Sequence, residues 1–132
     1  MSFVLTRGEL EFQYAQTLNG QAYKIFLAVT GSLTSVSTLA QWEAAELTAS
    51  NGYAAITGTI GAGVFNAATN AVESPSITGQ FTATGSGFSY DAMVIKIGTT
   101  RTRPYALRLL TAPVVLSSGQ ALSIALKLTT KP

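Results

Sequence analysis

The sequence predicts an all-β fold, an antiparallel β-sandwich of the jelly-roll kind with one short helix near residues 38–47. Three observations predict it. Apolar residues recur at period two over many short segments, most cleanly in the closing ALSIALKLTT. Turn pairs and glycine clusters (LNGQ, NG, TGSG, SSGQ) punctuate those segments. Only one segment carries helical spacing, so the strands follow one another without the interleaved helices of a parallel sheet. At 132 residues the chain is expected to form a single sandwich domain over 1–132.

From the N-terminus, ELEFQY (9–14) alternates and predicts a strand, with Leu10, Phe12 and Tyr14 on one face and Glu9, Glu11 and Gln13 on the other. LNGQ (18–21) supplies an Asn-Gly turn. AYKIFLAV then sets Tyr23, Ile25, Leu27 and Val29 against Lys24, Phe26 and Ala28, a strand expected to be covered on both faces. In TSVSTLAQWEAAELTAS, Leu39, Trp42 and either Glu43 or Glu46 stand at helical spacings among the strong helix formers Ala40, Ala44 and Ala45. Ser37 is the expected N-cap, and Ala40 three residues later forms no capping box with it.

NGYAAITGTIGAG (51–63) predicts a turn at Asn51-Gly52, a strand over 53–60, and an exit through Gly61 and Gly63. A phosphate-cradling loop needs a third glycine and a following helix, or a nearby lysine; here Val64, Phe65 and Asn66 follow, and the next lysine is Lys96. NAATNAVESPS (66–76) is expected as a loop. SITGQFTA sets Ile77, Gly79, Phe81 and Ala83 against Thr78, Gln80 and Thr82, and TGSG (84–87) turns the chain. FSYDAMVIKI packs Met93, Ile95 and Ile97 on one face, with Val94 and Lys96 opposite. TTRTRP (99–104) is a cationic connection, YALRLL a short strand, and Pro113 suits an edge or a bend. After SSGQ (117–120), the last strand points Leu122, Ile124, Leu126 and Leu128 inward.

The composition excludes whole classes of chemistry. Histidine and cysteine are both absent, so no Ser-His-Asp or Cys-His triad can be assembled and no disulfide framework exists. No catalytic residue, cofactor or metal is expected: a zinc site has no nitrogen or sulfur ligand, and no loop has the oxygen density calcium requires. The carboxylates are Glu9, Glu11, Glu43, Glu46, Glu73 and Asp91. Glu9/Glu11 and Glu43/Glu46 fit solvated outer faces, and Asp91, in an apolar strand, is expected to pair with a base or hold a turn. No signal peptide or membrane helix is expected from MSFVLTRGELEF or from any later run.

Only 11% of the residues are charged, and 18 threonines, 12 serines and 19 alanines take their place. Such a surface has little same-sign repulsion to keep copies apart, which points to a subunit covered by neighbours. What charge there is lies unevenly. Residues 1–91 hold all six acids with Arg7 and Lys24, a net of −4, whereas residues 92–132 hold Lys96, Arg101, Arg103, Arg108, Lys127 and Lys131 and no acid, +6. Arg101, Arg103 and Arg108 beside Tyr105 could contact phosphates next to a stacking ring, but the total of +2 and the lack of a recognition motif argue against nucleic acid. Pairing between the two halves and docking onto a partner stay open. The candidate contact elements are TTRTRP, the 64–76 loop and the arm 2–8. The interaction candidates are Arg101, Arg103, Tyr105, Arg108, Phe65 and Asn66.

Over residues 44–130, the order Glu46, Gly52-Tyr53-Ala54, Phe65-Asn66-Ala67-Ala68-Thr69 and Ser118-Gly119-Gln120 resembles that of small phage virion structural proteins of the tail-fibre-like or capsid-decoration (cement) type. Ala55 and Gln120 stand where such proteins often have Arg and Asp. The resemblance implies a non-enzymatic structural role in the virion. The implied partners are other copies of the chain, with a trimer favoured, and the major capsid or a tail protein, with no nucleic acid and no membrane. The alternative is a carbohydrate- or receptor-binding module using Tyr53, Tyr90, Tyr105 or Trp42 as stacking platforms.

Overall fold

The computed structural model describes residues 4–131. It is mostly strand, 41% against 13% helix, in antiparallel sheets, and so all-β. A four-stranded sheet runs in the order β2 (Ile56–Thr59), β1 (Ala22–Ala28), β6 (Phe88–Ile97), β7 (Ala106–Leu116). A three-stranded sheet joins β3 (Val64–Asn66), β4 (Ala71–Glu73) and β9 (Thr129–Thr130), and a third pairs β5 (Ile77–Thr82) with β8 (Ala121–Leu126). The chain divides into two compact units, one of Met1–Gln21, Thr59–Thr78 and Ile124–Pro132, the other of Ala22–Gly58 and Gly79–Ser123.

In the first unit the expected strand at 9–14 is instead a helix, α1 (Arg7–Thr17). Thr6 caps it, its hydroxyl accepting from the Glu9 backbone N–H at 3.3 Å, and Glu9 favours the positive helix start. Arg7 pairs with Glu11, and the Gln13 amide donates to Glu9, each four residues apart. The buried face is Leu10, Tyr14 and Leu18 at i, i+4 and i+8, while Phe12, the residue that completed the alternation, is 58% exposed. Part of the expected 2–8 arm therefore belongs to α1, and residues 2 and 3 lie outside the described residues.

The expected loop 66–76 is also corrected. β3 and β4 form a hairpin, pairing Val64 with Glu73 and Asn66 with Ala71, and Asn70 takes a left-handed φ of 49° in the turn. The stretch Gly61-Ala62-Gly63 leads into this hairpin and not into a helix. Its composition has a packing cause: the Tyr14 hydroxyl donates to the Gly61 carbonyl at 2.8 Å, and a Cβ on Gly63 would sit 2.5 Å from Val72 and 2.7 Å from the Tyr14 ring.

In the second unit β1 lies between β2 and β6, and Ile25, Phe26, Leu27 and Ala28 are all buried, as two-sided cover requires. Antiparallel register sets Phe26 against Val94 and Ala28 against Ala92. Trp42 of α2 (Leu39–Ala44) packs with these four in one core cluster. The helix is shorter than expected, and Thr38, not Ser37, is its N-cap. Thr38 and Gln41 make a capping box, Gln41 N–H to Thr38 Oγ1 at 3.3 Å and Thr38 N–H to Gln41 Oε1 at 2.8 Å.

The register makes Tyr90, Ala92 and Val94 the more deeply buried face of β6, where the sequence had favoured Met93, Ile95 and Ile97; of those, only Ile97 is buried. β2 is confined to Ile56–Thr59, shorter than the expected 53–60, and Tyr53, outside the strand, is buried. At the turn before it, Asn51 and Gly52 have φ of 53° and 83°, the left-handed pair an Asn-Gly turn supplies.

YALRLL opens a strand that is 11 residues long and runs through Pro113. Pairing jumps from Ala92–Leu109 to Tyr90–Val114, so Leu110 to Pro113 bulge opposite Asp91. β7 is the outer strand of its sheet, where a residue without an N–H is tolerated. Over β8 the alternation holds, with Leu122, Ile124 and Leu126 partly buried and Ala121, Ser123 and Ala125 exposed, but the expected strand breaks at Lys127-Leu128, and Thr129–Thr130 form β9 in another sheet.

Candidate functional site

The cationic connection is built from Arg101 to Tyr105. The Arg101 guanidinium lies over the Tyr105 ring, 5.4 Å from its centroid, and Arg103 donates to the Val36 carbonyl. The Thr102 carbonyl accepts from the Leu39 backbone N–H at 2.9 Å, which ties this connection to the start of α2. The expected contact residues here are thus held against their own unit.

Arg108 stands apart from that arrangement. It lies on β7, opposite Met93 of β6, and lines a pit of about 180 Å³ with Tyr90, Leu110, Val114 and Leu122. Among the described residues it has no carboxylate partner. Tyr90 is only 5% exposed, and its hydroxyl makes no hydrogen bond among the described residues. Burial raises the Tyr90 pKa above that of a free tyrosine and the positive charge of Arg108 partly opposes the rise, so the phenol is protonated at neutral pH.

Phe65 and Asn66 fall in the other unit, on the β3–β4 hairpin. The Arg7 guanidinium covers the Phe65 ring at 5.1 Å. The Asn66 amide donates to Glu73 Oε1 at 2.6 Å, and its carbonyl oxygen accepts from the Ala68 N–H at 3.0 Å. Asn66 is therefore the organiser of a turn. An open groove of about 530 Å³ runs beside it, bordered by Glu73, Ser76 and Lys127.

The carboxylates divide between solvent and structure. Asp91 Oδ1 accepts from both the Thr30 N–H (2.6 Å) and the Thr30 hydroxyl (2.9 Å), holding the turn after β1. Glu46 is not on a solvated helix face. It lies beyond α2, bridged to Ala28, and takes Lys24 Nζ on one oxygen (2.7 Å) and the Tyr53 hydroxyl on the other (2.7 Å). Tyr53 in turn accepts from the Leu27 backbone N–H at 3.2 Å. Glu46 and Tyr53 stand seven residues apart, and nothing in that spacing signals that they meet. Lys96 reaches Glu43 at 3.1 Å, an ion pair between the acidic and basic parts of the sequence.

Three of the four proposed glycan platforms are buried: Trp42, Tyr53 and Tyr90. The fourth, Tyr105, carries Arg101 on its face. Among the described residues no three His, Cys, Asp or Glu side chains gather as metal ligands, and no helix is long and apolar enough to cross a membrane. Comparison with protein-family models, with curated proteins and with solved structures finds no match.

Proposed function

We propose that this chain is a non-enzymatic structural subunit of a phage virion, a capsid decoration (cement) or tail/neck-associated protein that works through subunit–subunit contacts. The observation that carries the reading is β7. It is the outer strand of its sheet, ten of its eleven residues are not buried, and it presents Leu109, Val114 and Val115 to solvent. A long apolar edge strand invites pairing with another chain unless something covers it. With only 11% charged residues, the surface opposes such contact weakly. The resemblance of the motif order to that of small virion proteins supports the particle as the place of assembly, with self-association, as a trimer, alongside a capsid or tail protein.

A sandwich of jelly-roll type is the architecture we infer beneath this. Its support is an aromatic layer in the second unit, where Tyr53 stacks on Phe81 of β5 (centroids 6.0 Å apart) and meets Phe88 of β6 edge-on (5.7 Å). Residues of two different sheets thus share one interior. Light scattering on purified protein, followed by co-sedimentation with phage shells lacking the protein, tests the function. An oligomer that sediments with the shells is expected. A monomer at high concentration that stays in the supernatant would overturn the proposal.

A further inference from the structure

We propose that the pit beside the β7 bulge binds a small amphiphilic monocarboxylate, its carboxylate on Arg108 and the Tyr90 hydroxyl and its tail among Met93, Leu110, Val114 and Leu122. The inference does not depend on the virion reading. The bulge is what makes the pit: with Leu110 to Pro113 looped out opposite Asp91, the strands part between Tyr90–Val114 and Ala92–Leu109. The space of about 180 Å³ is lined mainly by apolar side chains. A dry cavity of about 150 Å³ accommodates one benzene-sized ring, so a tail of about six carbons fits.

Its polar members specify the head group. Arg108 offers a planar fork of donors that matches a carboxylate, and no acid of the protein occupies it among the described residues. The nearest acid in sequence to Tyr90, Asp91, is already engaged by Thr30. Tyr90 lines the pit with its phenol protonated, and among the described residues no hydrogen bond occupies its hydroxyl, which can donate to an incoming acceptor. One arginine with one phenol suits a single negative charge. A phosphate would need more donors, and the apolar walls would give it nothing.

The test is a titration of isotope-labelled full-length protein with hexanoate, followed by backbone and methyl NMR shifts, with hexylammonium and methyl hexanoate as controls. Saturable shifts centred on Arg108, Val114 and Leu122 are expected, with a Kd of about 1 mM. Hexylammonium should not saturate. Arg108→Gln should weaken hexanoate about tenfold and Tyr90→Phe by a smaller factor, while Leu122→Phe, which fills the pit, should abolish binding. Because a neighbouring copy on β7 could shut the pit, the titration is repeated on Val115→Lys, whose side chain lies outside the pit. Silence in both proteins, equal responses to hexanoate and hexylammonium, or unaltered affinity in Arg108→Gln would each overturn the assignment.

Discussion

Glu46 is the residue on which the second unit's interior polarity turns. Its two oxygens hold Lys24 and Tyr53, and Tyr53 passes the connection to the β1 backbone at Leu27. Each member satisfies a group that would otherwise be stranded in a poorly solvated place. Burial, more than the hydrogen bond to Glu46, raises the Tyr53 pKa far above its ordinary value near 10, whereas the Leu27 N–H works weakly the other way. The folded protein therefore holds the proton that the unfolded chain gives up at about pH 10. Stability from this site is complete below pH 10 and falls as pH rises beyond it, by up to ~1.4 kcal/mol per pH unit. Tyr53→Phe leaves the Leu27 N–H and one Glu46 oxygen unpartnered, a loss of about 2 kcal/mol at pH 7. Denaturant melts at pH 7 and pH 10.5 should show that loss at neutral pH and a shallower alkaline decline in the variant. Equal alkaline slopes would mean that Tyr53 ionises as freely in the folded protein as in the unfolded chain.

The short elements show why some of the fold could be read in advance and some could not. The pattern of β1 was legible because Ile25 to Ala28 is apolar at every position, which only two-sided cover satisfies. At 9–14 two periods coincide: Leu10 and Tyr14 suit both a strand face and a helix face, whereas Phe12 fits only the strand face. The deciding signal lay upstream, in Thr6 followed by Glu9, the spacing of a capping box. The same signature, Thr38 with Gln41, stands one residue beyond Ser37. The β3–β4 hairpin hid in Ala- and Asn-rich sequence with little β propensity, and its left-handed Asn70 was the available clue. That Arg108 lines an apolar pit was not legible, since the bulge that forms the pit depends on strand register, which no local pattern encodes. The α2 cap can be measured directly. Thr38→Ala removes the acceptor for the Gln41 N–H and should cost about 1 kcal/mol, or ~4 °C in melting temperature. The single tryptophan, fully buried on α2, reports that melt by its fluorescence. An unchanged midpoint would show that packing of Leu39 and Trp42 holds the helix without its cap.

At the scale of the whole molecule, a chain with so little charge displays the outer strand β7. Val115 is 68% exposed, Leu109 43% and Val114 36%. Pro113 and the bulge interrupt the free edge, so a continuous hydrogen-bonded ladder with another chain cannot run its full length. A contact here must instead draw on apolar burial around two short strand pieces, Ala106 to Leu109 and Val114 to Leu116, at roughly 25 cal/mol per Å². Such a contact tolerates charge poorly, because a lysine in its centre loses hydration without gaining a partner. Val115→Lys should therefore weaken self-association at least tenfold. It should leave the melting temperature of the separated subunit unchanged, since an outward side chain on an exposed strand contributes little to its own fold. Light scattering across a hundredfold range of protein concentration, paired with a thermal melt of each variant, separates the two effects. If Val115→Lys assembles at the same concentration as the parent, β7 is not the seam between copies and the apolar edge faces a different protein. If it unfolds, Val115 is covered within its own chain, contrary to its exposure.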